Sequence, residues 1–171
     1  MKKLIVPALL ALLIAGCSST PDTGAEQTGA PVEGRVNTVT AGGMNGSQLP
    51  AILTDPKSIL SKRSVYFDYD KFEIKPEYKD LVAAHAKFLV DNRQFKMLIQ
   101  GNTDERGSRE YNIALGQKRA DAVKKALILL GAREDQVESV SLGEEKPSCV
   151  DQTDACWAKN RRGDMLYNGE F

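Results

Sequence analysis

The sequence has few of the residues that bind metal ions. Its 171 residues include three cysteines and one histidine, which leaves little material for a metal site. Charge is balanced as well, with 23 basic and 23 acidic side chains. No electrostatic argument therefore favours nucleic acid as a partner, and no basic patch stands out. We expect neither a metal nor another cofactor.

The sequence also lacks an apolar run long enough to span a bilayer. The run from Leu4 to Ala15 has about a dozen residues, whereas a spanning helix needs roughly 20. Lys2 and Lys3 precede this run and Gly16-Cys17 follows it, a pattern that indicates a secretion signal over residues 1–16.

Small residues before a single cysteine resemble the lipobox of bacterial lipoproteins, in which the signal is cut before the cysteine and the cysteine is acylated. This implies a lipid anchor at Cys17, because two or more acyl chains hold a soluble domain stably on a membrane. Ser18 stands where an aspartate would suggest inner-membrane retention, so the resemblance implies the outer membrane. An ordinary cleavage site with an incidental cysteine is the alternative.

Residues 17–57 predict a flexible linker that follows the acylated cysteine. They are rich in Gly, Ser, Thr, Pro and Asn, and no period of 2 or 3.6 residues persists. Only Leu49–Leu60 carries some apolar residues, and we expect it to form a turn of helix at the edge of the domain. The remaining length allows one domain of ordinary size, predicted over residues 58–171.

Apolar periodicity predicts four strands and two helices in this domain. The strands are predicted over Ser64–Asp70, Phe95–Gln100, Gln136–Leu142 and Asp164–Tyr167, and the helices over Pro76–Asn92 and Ser108–Leu130, the second ending at the capping residue Gly131. Strands that alternate with helices predict an α/β or α+β sandwich, with parallel pairing through crossovers and helices covering the sheet.

Two acids and an arginine are predicted to meet at one edge of the sheet. Asp70 ends the first strand and Asp104 follows the second, so both emerge at the carboxyl edge if these strands are parallel neighbours or near neighbours. Arg119 lies within or beside the apolar stripe of the long helix, and a buried guanidinium needs an acidic partner from the protein or a ligand. Acids that bind an ammonium and an arginine that binds a carboxylate suit a zwitterionic amino-acid head group.

Each of these residues also has a purely structural interpretation. Asp104 could cap its turn or pair with Arg106, and Arg119 could form an ordinary ion pair between helix and sheet. Asp70 could be a solvated strand end. His85 lies on the apolar face of the first helix, and we expect it to be a hydrogen-bonded histidine of the core.

Four stretches of the chain resemble the OmpA-like peptidoglycan-binding domain. They read VYFDYDKFEI, GNTDERGSREYNIALGQKRADAV, SLGEEKP and NRRGDMLY, and they span nearly all of residues 60–167. The resemblance implies a β-α-β-α-β-β order with a mixed sheet, and non-covalent binding of the diaminopimelate residue in the peptidoglycan stem peptide. It assigns this binding to Asp70, Asp104 and Arg119. Asn160 and Arg161 are predicted either to support the pocket or, for Arg161, to form a structural ion pair.

The resemblance has further implications for the cell envelope. It implies partners in the Tol system, chiefly the periplasmic TolB protein, and a role in envelope integrity and cell division. Cys149 and Cys156 lie in a loop that often lacks cysteine in this family, and in an oxidising periplasm we predict a disulfide between them. A metal pair at these cysteines would lack companion ligands. Gly163 stands where the family commonly has a larger residue, so we expect the last strand to begin late.

The sequence therefore predicts a non-catalytic tether with lipid in the outer membrane, a linker, and a periplasmic domain on the cell wall. One alternative is a peptidoglycan hydrolase that uses paired carboxylates, with Asp68, Asp70, Asp104 and Glu105 as candidates. Arg119 near these acids argues against it, because a cation lowers rather than raises their pKa values. A second alternative is a protein-interaction anchor with a vestigial pocket.

Overall fold

A computed structural model of the protein describes residues 49–171. The predicted signal over residues 1–16, the acylated Cys17 and the linker to residue 48 lie outside these residues. The strands are β1 (Ser64–Tyr66), β2 (Met97–Asn102), β3 (Val137–Gly143) and β4 (Arg162–Tyr167), and the helices are α1 (Ala51–Thr54), α2 (Lys79–Asp91), α3 (Arg109–Leu129) and α4 (Asp154–Asn160). No helix within this part of the chain is long and apolar enough to cross a membrane.

The four strands form one mixed sheet in the order β1-β4-β2-β3, which confirms the predicted α+β fold. β2 and β3 pair in parallel, whereas β4 runs antiparallel to both of its neighbours, β1 and β2. The three strands joined by helical crossovers therefore run in the same direction, and the last strand inserts antiparallel between the first two, which gives the mixed sheet that the resemblance implies. Since β1 and β2 are each antiparallel to β4, they point the same way, and their carboxyl ends reach the same edge.

Each strand differs from the prediction at one or both boundaries, and two of these differences affect the site. β1 ends at Tyr66 rather than Asp70, because the chain leaves the extended conformation and Asp70 adopts a φ of 56°. β4 begins at Arg162, before the predicted start, so the late start expected from Gly163 was wrong. Gly163 is paired with Val65 of β1 on one side and with Gly101 of β2 on the other, and this pairing does not depend on a side chain.

The folded part of the chain begins before residue 58, the predicted start of the domain. The turn expected within Leu49–Leu60 is present as α1, and Leu53 is 2% exposed within the hydrophobic core. Its backbone carbonyl also accepts a hydrogen bond from Arg63 at 3.0 Å. Leu49 and Leu53 therefore belong to the folded part of the chain rather than to the linker.

The core lies between the helices and one face of the sheet. The Ser108 side chain caps the start of α3 by accepting from the Tyr111 amide, and the chain turns after its end at Gly131, with a φ of 104°, as predicted. α2 and α3 contact each other and bury their apolar faces against the strands. Among the described residues, the completely buried hydrophobic ones are Val65, Leu89, Ile99, Ala120, Val123, Leu127, Val137, Met165 and Tyr167.

A buried polar pair joins α2 to β4. His85 Nε2 lies 2.9 Å from the carbonyl oxygen of Lys62, and its Nδ1 lies 2.8 Å from the hydroxyl of Tyr167. Because a carbonyl only accepts, Nε2 carries the proton and Nδ1 accepts from the tyrosine. The ring is therefore neutral and fully hydrogen-bonded, as expected from its position in the sequence, and burial lowers the pKa of His85 to about 4.

We expect stability to fall as the pH drops from about 6.5 to about 4, partly because of His85. The unfolded ring gains a proton near pH 6.5 and the folded ring only near pH 4, so the unfolded state binds more protons in this window. The difference between the two pKa values corresponds to about 3 kcal/mol. Urea unfolding at several pH values should show this loss, and His85→Asn should remove its share of the slope. An identical slope in the variant would contradict the prediction.

Candidate functional site

A pocket of about 240 Å³ opens at the edge where β1 and β2 end and β4 begins. Asp70 comes from the loop after β1, Asp104 from the loop after β2, Arg119 from α3 and Arg161 from the residue before β4. The structure therefore brings four of the five predicted site residues to one pocket, Asn160 being the exception. The antiparallel direction of β4 places its start, rather than its end, at this edge.

Arg119 is completely buried at the base of this pocket. Its Nε donates to the carbonyl of Lys71 at 2.9 Å, one terminal nitrogen to Asn102 at 2.9 Å, and the other to Asp68 at 3.2 Å. Within residues 49–171 no carboxylate lies in salt-bridge distance of this guanidinium. The sequence predicted an acidic partner for Arg119 from the protein or from a ligand. In the described residues backbone carbonyls bind it, and the acidic ligand stays a prediction.

The guanidinium of Arg119 keeps both charge and donors for a ligand. Burial lowers the pKa of Arg119 to about 10, which leaves it protonated at neutral pH. An arginine has five N–H donors, and three of them donate to carbonyls, so one N–H on each terminal nitrogen remains for another acceptor. The centre of the Phe67 ring lies 5.3 Å from the guanidinium carbon, a contact that attracts the cation.

Asp104 is buried and bound by two arginines. Its Oδ1 accepts from the backbone N–H of Arg106 at 3.1 Å and from Nε of the same residue at 3.3 Å. Its Oδ2 accepts from Arg106 at 2.7 Å and from Arg161 at 3.0 Å. Burial alone would raise the pKa of Asp104, but these hydrogen bonds outweigh it and hold the pKa below its usual value. The carboxylate is therefore ionised at any pH near neutrality.

Asp70 lies at the outer side of the pocket and is exposed. The hydroxyl of Tyr111 in the first turn of α3 donates to its Oδ1. This hydrogen bond is the main reason that the pKa of Tyr111 is raised, so the hydroxyl stays protonated and keeps donating. The second carboxylate oxygen of Asp70 is left for a ligand cation.

Asn160 lies outside the pocket and stabilises the loop that leads to it. It is 5% exposed, its carbonyl oxygen accepts from the amides of Ser148 and Cys149, and its amide donates to the carbonyl of Cys149. The predicted disulfide between Cys149 and Cys156 is present in the same loop. Asn160 therefore acts on the pocket only through α4 and the neighbouring Arg161.

Seven residues that line the pocket were not predicted as site residues, among them Arg106, Tyr111 and Thr103. Arg106 was named only as a possible partner of Asp104, and Tyr111 and Thr103 carried no signal apart from their place in the loop and first turn before Arg119. The Thr103 hydroxyl is buried and has no hydrogen-bond partner among the described residues. It lines the pocket and adds one more polar group for a ligand.

One cluster of possible metal ligands occurs in the described part of the chain. It consists of Cys149, Asp151 and Cys156. Because the two sulfurs are bonded to each other, neither is a thiolate that could bind a metal ion. The cluster is therefore a disulfide with an acidic neighbour.

Both a family model and individual relatives match this sequence. The sequence matches the OmpA family over residues 66–161. It is 50% identical over 104 residues to a peptidoglycan-associated lipoprotein of Pasteurella multocida, which covers 61% of this chain and 69% of the relative. A protein of the same description from Pseudomonas aeruginosa is 38% identical over 161 residues, 92% of this chain and 94% of the relative.

A solved structure agrees with these matches. The crystal structure of the peptidoglycan-associated lipoprotein from Burkholderia pseudomallei superposes with a TM-score of 0.67 and 54% identity, over 68% of this chain and 98% of that one. The matched residues include both loops and the helix that form the pocket. The chain therefore belongs to the OmpA family and, within it, to the peptidoglycan-associated lipoproteins.

Proposed function

We propose that the pocket binds the side-chain end of a diaminopimelate residue in the peptidoglycan stem peptide, without catalysis. The observation that carries this proposal is the buried charge of Arg119, which is bound only by carbonyls in the described residues and lies beside two carboxylates. A buried cation gains most from a ligand anion. The names of the relatives, which associate them with peptidoglycan, support the same ligand.

The pocket size and polarity suit this head group. A volume of about 240 Å³ is below the usual range for drug-sized ligands and fits an amino-acid end rather than a glycan chain. In the proposed complex the two remaining donors of Arg119 bind the ligand carboxylate, and Asp104 and Asp70 bind its ammonium. Arg161 orients Asp104, and Asn160 supports Arg161.

A hydrolase is the less favoured alternative because its candidate catalytic acids are held in the ionised form. A glycoside hydrolase needs one carboxylic acid with a raised pKa to protonate the leaving group. The two arginines instead lower the pKa of Asp104, and Asp68 is bound by Lys75 at 2.8 Å, which lowers its pKa as well. Both carboxylates are therefore ionised near neutral pH and cannot donate a proton to a leaving group.

The remaining parts of the proposal concern the whole envelope. We propose that Cys17 is acylated and anchors the chain in the outer membrane, and that the linker lets the periplasmic domain reach the cell wall. Membership of the peptidoglycan-associated lipoproteins supports the lipid anchor. A partnership with TolB of the Tol system is supported only by the family resemblance.

Co-sedimentation of residues 49–171 with purified sacculi tests the proposal, because these residues contain the complete core. We expect the parent to pellet with diaminopimelate-type sacculi and Asp104→Asn to bind about tenfold more weakly or worse, since a ligand cation loses its charged partner. Asp135→Asn, on the exposed surface, is the matched control and should bind like the parent. Urea unfolding of each variant checks that it folds.

Three results would contradict the proposal. Equal binding by folded Asp104→Asn would remove this carboxylate from the site. Equal binding to sacculi that carry lysine in place of diaminopimelate would show that the zwitterionic end is not recognised. Release of soluble fragments from the sacculi would favour the hydrolase.

A further inference from the structure

The carboxylate of Asp104 is fully occupied by cations of the protein itself. A carboxylate offers about four acceptor positions, and Asp104 already accepts four hydrogen bonds, three from Arg106 and one from Arg161. A ligand ammonium can therefore bind Asp104 only when one of these donors leaves.

Arg106 is the arginine that can leave. Arg161 also donates to the carbonyl of Phe67 at 3.2 Å, and its side chain is 14% exposed. The side chain of Arg106 is 32% exposed, and its hydrogen bonds within the described residues all go to Asp104. Rotating Arg106 into solvent thus breaks contacts with one carboxylate and leaves the backbone hydrogen bond of the turn intact.

Two aromatic rings also contact the guanidinium of Arg106. Its guanidinium carbon lies 4.3 Å from the ring centre of Tyr69 and 4.2 Å from that of Trp157. The indole of Trp157 is oriented by a hydrogen bond to Glu105 at 3.2 Å. Faces of aromatic rings attract any cation, so the rings and the carboxylate together form a subsite for a positive charge.

We propose that Arg106 is an internal occupant of the ammonium subsite, formed by Asp104, Tyr69 and Trp157, and that the ligand ammonium displaces it. This rests on the proposed function and deepens it, because it makes Arg106 a specificity-determining residue. Binding is then the exchange of one cation for another. Ligands that lack the ammonium cannot displace Arg106 and gain nothing from its removal.

Calorimetric titration of the full chain with two synthetic tripeptides tests the exchange. The first is L-alanyl-γ-D-glutamyl-meso-diaminopimelate, and the second carries 2-aminopimelate, which lacks only the side-chain amino group. Arg106→Gln keeps a side chain of similar reach without the charge. We expect it to bind the first peptide about fivefold more tightly than the parent, because the competing occupant no longer reduces the competent fraction. We expect no gain for the second peptide.

Arg109→Gln is the matched control for the loss of one positive charge. Arg109 is at the start of α3, pairs with Glu145 on the surface and does not line the pocket, so its variant should bind both peptides like the parent. Trp157 is the one tryptophan of the chain, and its fluorescence reports on the ring next to Arg106. The first peptide should change this fluorescence in the parent and much less in Arg106→Gln.

The outcomes separate the two proposals. Weaker or unchanged binding of the first peptide by Arg106→Gln would show that Arg106 is part of the binding surface or irrelevant, and would overturn the exchange alone. An equal gain for both peptides would point to general electrostatics and would also overturn it. A parent that binds neither peptide would overturn the proposed function and the exchange together.

Discussion

Replacing Arg119 with lysine is expected to reduce binding of diaminopimelate-type peptidoglycan by about 100-fold or more. Lysine keeps the charge but lacks the planar fork, so it cannot hold three carbonyls and still present two parallel donors to a carboxylate. Loss of one partner in a buried, hydrogen-bonded charge pair costs about 2–5 kcal/mol, which is enough to account for the expected loss of binding. Binding of the tripeptide by calorimetry gives the magnitude.

The same position also contributes to the fold, and the experiment must separate the two effects. The carbonyls of Asp68 and Lys71, in the loop after β1, and of Asn102, at the end of β2, converge on Arg119. Arg119→Ala leaves all three without their donor, and each buried unpaired group costs about 1–3 kcal/mol. Lysine retains part of these contacts and is the better probe. Arg133→Lys, on the exposed surface, is the control, and normal binding by folded Arg119→Lys would refute the carboxylate assignment.

Replacing Gly101 with alanine is expected to destabilise the fold by about 3 kcal/mol or more, since overpacking against backbone cannot be relieved by a rotamer change. A Cβ at Gly101 in β2 would lie 2.6 Å from the carbonyl carbon of Gly116 in α3 and closer still to its oxygen. Helix and strand touch here through their backbones. Urea unfolding measures the loss.

Gly163→Ala in β4 is the matched control for this prediction. A Cβ there would meet its nearest atom, in the Phe67 ring, at 3.5 Å, an ordinary contact, so the expected cost is below about 1 kcal/mol. Gly101→Ala should also weaken peptide binding in the fraction that folds, because moving α3 away from β2 separates Arg119 from the carbonyl of Asn102. A Gly101 variant as stable as the Gly163 variant would show that α3 shifts freely.

The close approach of Gly101 and Gly116 explains how Arg119 reaches the same pocket as Asp104 although the two are far apart along the chain. Arg119 lies 15 positions after Asp104 along the chain, three turns into the helix at 3.6 residues per turn. The loop between them reverses the chain, so that α3 runs back across β2. The glycine contact then lets the helix lie near enough for Arg119 to reach the end of the strand.

Local sequence patterns predicted every strand and long helix, because apolar periodicity reports the burial of each element by itself. The same logic identified Arg119 as a charge on an apolar face and Asp70 and Asp104 as acids near strand ends, and from these the sequence predicts a zwitterionic ligand. The motifs that resemble the OmpA-like domain predicted the family, which the comparisons confirm.

Tertiary structure alone decided the strand order and the partners of each charge. β4 inserts between β1 and β2 across almost 100 residues of chain, and no local pattern encodes that pairing. The partners of Arg119 are backbone carbonyls, which every residue carries equally, so side-chain chemistry could not reveal them. The position of Arg106 between two rings depends on α4 meeting the β2–α3 loop. Periodicity specifies which face of an element is buried, whereas long-range packing determines what it is buried against.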